Sequence, residues 1–573
     1  MRKLAVITAF GGINAAGRSS GHQAFRRLVL DKLSATQQLE TLNALAQLMG
    51  LPQQSDITAA WREQIINGSL IRGWDNIDWD AAAVPFHQPF TDAEGTPCWR
   101  LSHKRLAVQS AGQTPKGFDP ASLYPSRHHP RGLQMAVYGV SDALGQLGLD
   151  WEVIRQHLRP DQIAVYAGSA MGQQDANGHG GMLQSFLQGK RTSSKQCALG
   201  LSEMPADFIN AYVLGNVGAT GSMTGACATF LYNLKVALDD IHSGRRRLVI
   251  VGNSEAPLTP EIVEGFSAMT ALVTEQKLRD LDGLGRDDTP DFRRASRPFG
   301  ENGGFTIAES AQFIVLTDDA LALELGLSIY GSVGDVFINA DGYKKSISNP
   351  GVGNYLTMGK AMAEARRWLG ELALKHGSFV HAHGSSTPAN RTTESHIFSE
   401  LAKAFRIPAW DITAVKAHVG HSISAASADQ LMATLGSWAH GIIPGITTTS
   451  AVAADVYQSN LNILLQHKEM DAEKTPLAFV NSKGFGGNNA SAFFVSPHKT
   501  LEILQRKYSG QEWHDYHNKN VDVQQRSQQW DKDTSAGLTK PIYRFGEAVL
   551  EPEDLELSDL RIHIKGWDNP VEL

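Results

Sequence analysis

Cys227 stands in TGACATFLYNLKVALDDIHSG (224–244), behind Gly225 and Ala226 and just ahead of a run with apolar helical spacing. A thiol so placed lies near a helix N-terminus, where unpaired N–H groups and the macrodipole favour a thiolate and hence a nucleophile. The same stretch also suits a small buried hydrophobe, the commoner fate of a lone cysteine. His383, in FVHAHGSSTPANRTTES (379–395), follows an apolar strand and opens a loop of small residues, where reactive groups are displayed. His381 shares its strand face by period and competes for the same reading. Lys416, His418 and His421 precede a second helical run in TAVKAHVGHSISAASADQ (413–430); the two histidines lack a third ligand at metal-site spacing. In NSKGFGGNNA (481–490), Gly484, Gly486 and Gly487 surround Phe485 and permit a backbone that can aim N–H groups at an oxyanion. A phosphate loop would need a Gly-Lys-Ser/Thr ending and a following helix, whereas a strand-like run, SAFFVSP, follows here.

These residues need a frame of strands and helices. Short apolar runs bounded by Gly, Asn or Ser begin at 4 (LAVITAF), 163 (IAVYAGS), 247 (RLVIVGNSE), 311 (AQFIVLT), 378 (SFVHAHGS), 477 (LAFVNSKGFGG) and 491 (SAFFVSP). Helical patterns lie between them, so the chain reads as α/β with buried strands. GSMTGACATFLYNLKVALDDIHSG, from 221, and GHSISAASADQLMATLGSWAHG, from 420, both pass from small residues into helical spacing, which suggests a duplicated unit. The expected division is a half over 1–315 carrying the cysteine, with an insertion at about 35–125, a half over 316–498 carrying the histidines, and an extension over 499–573. A charged surface loop is expected at 274–292, and polar helices followed by a strand pair, PIYRF with DLRIHIKG, in the tail.

At 573 residues with 42% hydrophobic side chains, the chain can bury a core larger than one ordinary domain. A net charge of -7 gives no general attraction to nucleic acid or anionic membrane. No run approaches the length of a membrane span. Cys98, Cys197 and Cys227 form neither a disulfide framework nor a metal set, so a cytoplasmic location with reduced thiols is expected. Arg245, Arg246 and Arg247 fit the end of a helix better than a docking face.

The ordered series GACAT around Cys227, RPFGENGGFTIAES (297–310), HAHGSSTP (381–388), KAHVGHS (416–422) and NSKGFGGNNA resembles the β-ketoacyl-acyl-carrier-protein synthases, in their elongation-type Cys-His-His branch. INAAGRSS, HPRGLQMAV and NSEAP, with the long format, are most similar to the FabY-like bacterial synthases. The resemblance implies a thiolase-type duplicated five-layer α-β-α-β-α fold, usually a homodimer. It implies Cys227 as acyl-accepting nucleophile, His383 and His421 acting on the malonyl group, Lys416 supporting the histidines, and Phe485 gating, its N–H and that of Cys227 forming the oxyanion hole. Ser385 and Thr387 would meet the pantetheine arm beside the Gly486–Gly487 loop. The implied reaction is a decarboxylative Claisen condensation of malonyl-acyl carrier protein (ACP) with an acyl-CoA or acyl-ACP donor, by subfamily likeness acetyl-CoA, at the start of fatty acid synthesis. It needs no metal or redox cofactor.

An elongating synthase for longer or polyketide-like chains is the nearest alternative. A chain-length-factor-like partner would usually lack the nucleophile, and a thiolase would bring a second cysteine after Cys227. Four positions depart from the family pattern: Gln430 for a glutamate expected to serve Lys416, Arg391 for an aspartate, Lys483 for a phenylalanine and Ser385 for a threonine.

Overall fold

A computed structural model describes residues 3–75, 79–285, 287–347 and 349–573. Ten strands carry the fold: β1 (Ala5–Asn14), β2 (Ile163–Gly168), β3 (Ala219–Gly221), β4 (Leu248–Glu255), β5 (Ser310–Asp318), β6 (Ser332–Asn339), β7 (Ser378–His381), β8 (Trp410–Thr413), β9 (Leu477–Gly484) and β10 (Asn488–Val495). They run in the order β3-β2-β4-β5-β1 and then β6-β10-β9-β7-β8. Each set of five has the same internal order and the same senses. Its two pairings nearest the outer edge are parallel, and its other two are antiparallel. The sets meet where β1 pairs β6 through Ala5–Val333 and Val6–Ser332. A repeat faint in the residues is thus plain in the topology.

Period-2 alternation explains the layers, because the central strands are apolar and buried on both faces. On β4 and β5, Leu248, Ile250, Phe313 and Val315 face one way, against α1 (Arg131–Gln146). Their neighbours Val249, Val251, Ile314 and Leu316 face the other, against α2 (Thr229–Ser243). On β9 and β10, Ala478, Val480 and Phe494 join that same middle layer, while Leu477, Phe479, Phe493 and Val495 pack outward on α3 (Gly353–His376) and α4 (Pro388–Ala404). Through Leu431 and Leu435, α5 (Ala426–His440) lies beside α2 in the middle. The result is the expected five-layer α-β-α-β-α stack. α2 and α5 are its two central helices; Cys227 precedes one and His421 the other.

The segment 35–125 is more regular than its composition indicates. It holds helices Ala35–Leu48 and Ala59–Asn67 and a hairpin of Val84–Thr91 with Pro97–Lys104; residues 76–78 lie outside the described residues. Part of the expected loop at 274–292 is a helix, Glu275–Asp282. Thr274 caps it by accepting from the Lys277 N–H at 3.1 Å, and Leu278 buries inward.

In the tail the polar helices are present, Pro497–Lys507 and Gly510–Ser535, but the strand pair is drawn differently. Arg561–Ile564 pairs with Leu555–Leu557 and Val571–Glu572, and PIYRF forms no strand; Tyr543 instead packs on Tyr124 and Tyr212. The tail is bound to the first half. Asp531 meets Arg18, which also pairs with Asp142 at 3.4 Å, and Trp530 covers Gly145, where any Cβ would strike its ring. Arg245 and Arg246 lie against Asp240, and Arg247 pairs with Asp318 and Glu324. Among the described residues no helix is long and apolar enough to cross a membrane.

Candidate active site

Cys227 lies in a single turn, Ala226–Ala228, that feeds α2. Ala226 ahead of it has φ 50°, the left-handed region that costs a β-carbon residue energy, so this turn is held by its surroundings. The second half repeats the device. A turn at Ile423–Ala425, with Ile423 at φ 47°, follows His421 and feeds α5.

The loop between β9 and β10 comes across from the second half to the thiol. Ser482 Oγ donates to the Cys227 carbonyl at 2.9 Å. A Cβ on Gly484 would fall 2.3 Å from the Gly225 oxygen and 3.1 Å from the Cys227 nitrogen, so only glycine permits this approach. Its consequence is that the N–H groups of Phe485 and Cys227 both act on the sulfur. Gly486 and Gly487 do not line the cavity beside Cys227; with φ 85° and 94° they turn the hairpin. Gly484→Ala should push the loop off the thiol and, if one donor amide is lost, slow turnover about a hundredfold or more. Steady-state kinetics on folded protein would measure this, and wild-type rates would refute it.

One cavity of about 130 Å³ brings together Cys227, His383, Ser385, Thr387, Lys483 and Phe485. His421 is not on its wall but stands behind His383, the rings perpendicular with centroids 5.3 Å apart. Lys416, 1% exposed, donates to the His383 carbonyl and lies 3.4 Å from His383 Nδ1. The Lys483 N–H donates to that same Nδ1 at 3.3 Å. With donors on Nδ1, the ring is held as the tautomer that carries its proton on Nε2. Burial, then the Lys416 charge, holds both His383 and His421 well below the usual imidazole range, so both are neutral at pH 7.

The other two histidines separate cleanly. His381 is fully enclosed against Phe379 and held down to about 3 by burial and Lys416; His418 Nε2 meets the Gly445 carbonyl at 2.8 Å. Neither lines the cavity.

Burial also decides the state of the thiol. The expectation from the helix end alone was a thiolate, but Cys227 is 4% exposed among Phe266, Phe305, Ile307 and Ile423. That enclosure pushes it up to about 12, against the opposing pull of Lys416 and of the two amides, with buried Glu255 adding to the rise. A helix terminus returns at most about 2 kcal/mol, less than desolvation takes.

Gln430 shows why no carboxylate stands there. Its amide donates to the carbonyls of His381, Ala382 and Asn481 at 2.9, 2.6 and 3.1 Å, a site that would repel an anion. Burial lowers Lys416 to about 8, and Glu394 is the largest influence raising it, ahead of Cys227 and Asp429. The fully buried Glu394 carboxylate accepts from the N–H groups of His383 and Gly384 at 2.7 and 2.8 Å and from Asn481 at 2.8 Å. The sequence reading missed it, although its place on α4, one turn after Asn390, was visible. Arg391 grips Asp455 through two bonds of 2.8 and 3.0 Å and reaches Glu301 at 3.1 Å, which anchors the start of α4. Thr387 caps that helix, accepting from the Asn390 N–H at 3.3 Å.

Comparison with known proteins places these features in a wider set. Residues 49–322 match the family model of the β-ketoacyl synthase N-terminal domain, and residues 330–449 match that of the C-terminal domain. The β-ketoacyl-[acyl-carrier-protein] synthase FabY of Pseudomonas aeruginosa is 46% identical, covering 100% of this chain and 98% of that protein. The crystal structure of that noncanonical ketosynthase superposes with a TM-score of 0.96 at 45% identity, over 100% of this chain and 98% of the other. The 3-oxoacyl-[acyl-carrier-protein] synthase 2 of Vibrio cholerae is 28% identical over 66% of this chain and 86% of its own length.

Proposed function

The chain belongs to the β-ketoacyl synthase family of condensing acyltransferases, and from that premise we propose that it condenses malonyl-ACP with acetyl-CoA to give acetoacetyl-ACP, opening fatty acid synthesis. The observation that carries the reading is the shared cavity: a buried thiol faced by two N–H groups, beside a neutral imidazole whose tautomer is set by donors on Nδ1.

In this reading Cys227 Sγ attacks the donor carbonyl. The amides of Cys227 and Phe485 receive the oxyanion, and the thiol proton goes to the departing thiolate. Malonyl thioester then loses CO2. The electron pair of the broken C–C bond becomes an enolate, stabilised by the Nε2–H of His383 and by His421. Its carbon attacks the acyl carbonyl, and the Cys227 sulfur leaves as thiolate and takes a proton from solvent. Lys416, charge-balanced by Glu394, keeps His383 oriented. Ser385 and Thr387 offer hydroxyls to the pantetheine arm, and Gly486 and Gly487 shape the loop that carries Phe485.

Aromatic rings close the apolar side of Cys227, which supports a short donor. Phe266 stacks on Phe485 at 6.2 Å and meets Phe305 edge-on at 5.5 Å, and Phe305 meets His421 at 5.1 Å. Val84, Leu106 and Val108 of the insertion back this wall. A larger apolar cavity, about 490 Å³ and lined by Met171, Leu183, Ile262 and Met269, is also lined by Phe266. It is the one feature favouring the second reading, an elongating enzyme in which that ring swings away. Intact-mass measurement decides between them. An acetyl adduct from acetyl-CoA alone, discharged by malonyl-ACP, is expected; labelling only by longer acyl-ACP would overturn the starter role.

The repeated strand order supports a division into halves between the end of β5 at Asp318 and the start of β6 at Ser332, just beyond the expected 315/316, with an extension from 499. A homodimer is supported by the outer edge of β3, unpaired among the described residues, and by Leu183, Phe186 and Leu187 of the first half, which stand open to solvent. Three free cysteines suit a reducing cytoplasm.

A further inference from the structure

Lys483 is the cation of the cavity that the proposed chemistry leaves unassigned. It lies on β9 opposite Asn489, and the strand brings its backbone against the His383 ring while its side chain lines the same cavity as Cys227. The contact its Nζ makes is with Thr393 Oγ1 at 3.5 Å; among the described residues no carboxylate comes within ion-pairing reach. The other two lysines nearby are committed. Lys344 pairs with Asp341 at 3.6 Å and donates to the Ile347 carbonyl at 2.8 Å, and Lys416 is enclosed against His383. An ammonium largely withdrawn from water, with Glu394 and Asp341 acting on it only from beyond ion-pairing distance, is costly, and an arriving anion reduces that cost. Thr387 and Asn390 line the cavity beside it and offer further donors.

Resting on the functional reading above, we propose that Lys483 binds the carboxylate of the malonyl thioester. The position selects this anion. Lys483 adjoins His383, the donor assigned to the thioester oxygen, and the malonyl carboxylate lies one methylene from that carbonyl. The phosphate, in contrast, sits at the far end of the pantetheine arm. When the C–C bond breaks, its electron pair moves to the enolate and CO2 departs uncharged, which frees Lys483 for the next turnover. A cation on the carboxylate stabilises the bound substrate more than the transition state, in which charge has moved toward His383. The residue therefore acts on KM more than on kcat.

Steady-state condensation with Lys483→Met and Lys483→Arg tests this, using malonyl-ACP and malonyl-N-acetylcysteamine, which has no phosphate. Lys483→Met should raise KM for both malonyl thioesters about tenfold or more, with kcat within about threefold of wild type, and Lys483→Arg should restore most of the loss. Acetylation of the same samples by acetyl-CoA, followed by intact mass, checks that the variants are folded. Unchanged KM for both malonyl thioesters would overturn the proposal and leave the functional reading intact. A defect with malonyl-ACP and acetyl-CoA but not with malonyl-N-acetylcysteamine would overturn it in favour of phosphate recognition. Wild-type protein that condenses neither thioester would bring down the functional reading and this inference together.

Discussion

Replacing Cys227 with alanine is expected to stop condensation completely while malonyl-ACP continues to lose CO2. Only the sulfur can carry the acyl group, so without it no electrophile waits for the enolate. The groups assigned to decarboxylation come from the other half of the chain and survive the change. His383 is oriented by Lys416 and by the Lys483 N–H, and neither contact involves the thiol. The measurement is paired: 3-oxoacyl product by mass, and CO2 release from labelled malonyl-ACP. Product at the wild-type rate would refute the nucleophile, and loss of both activities would refute the separation of roles. Acyl adducts must be mapped to a peptide, because Cys197 is exposed and Cys98 half-buried while Cys227 is enclosed. A reagent that senses exposure alone will mark the wrong cysteine first.

The contrast between Cys227 and its own sequence context shows what local pattern conveys. Gly225, Ala226 and the apolar run that follows specify a turn into a helix, and that turn is present. What the run does not display is the chemistry of the surroundings. Phe266, Phe305 and Ile423 come from three distant segments, and together they reverse the expected ionisation of the thiol. His383 and His381 pose the same problem two residues apart. Strand period puts both on one face, yet β7 ends at His381, and beyond it the backbone turns so that only His383 reaches the cavity. Gln430 looked like a missing charge, and three carbonyls converging on its amide explain it. Their positions follow from the sheet and were invisible in the residue itself. Seven of the ten strands were legible as apolar runs bounded by glycine, asparagine or serine; β3, β6 and β8 were not, β3 and β8 being short and β6 interrupted by Gly334 and Asp335. The insertion was harder, because Val84, Leu106 and Val108 are spaced irregularly and gain their meaning from packing near Cys227.

His383→Ala is expected to lower decarboxylation and condensation together by about a thousandfold, while Cys227 still accepts an acetyl group. The Nε2–H of His383 is the donor set to meet the enolate. Removing it leaves developing negative charge in a cavity where water is a poor substitute. His383→Gln, which restores an N–H donor of similar reach, should recover part of the loss; a purely structural role would not be rescued this way.

The pH profile carries the same argument. Because burial and Lys416 hold both rings well below the usual imidazole range, they stay neutral as pH falls through that range, and no imidazole limb should appear there. Acidification does cost stability. The unfolded chain takes up protons below about 6.5 that these rings refuse, so stability present above that pH declines as pH falls through it. Initial rates therefore need short assays. At the other end Lys416, lowered to about 8, loses its proton as pH rises, and with it the charged donor on His383 Nδ1. Activity should fall on the alkaline side with an apparent pKa near that value, and Lys416→Met should abolish the limb along with most of the rate. An acid limb centred near 6.5 in wild-type initial rates would mean that at least one ring titrates as an ordinary histidine. The neutral-donor account of the enolate would then fail even if every distance in the site were right.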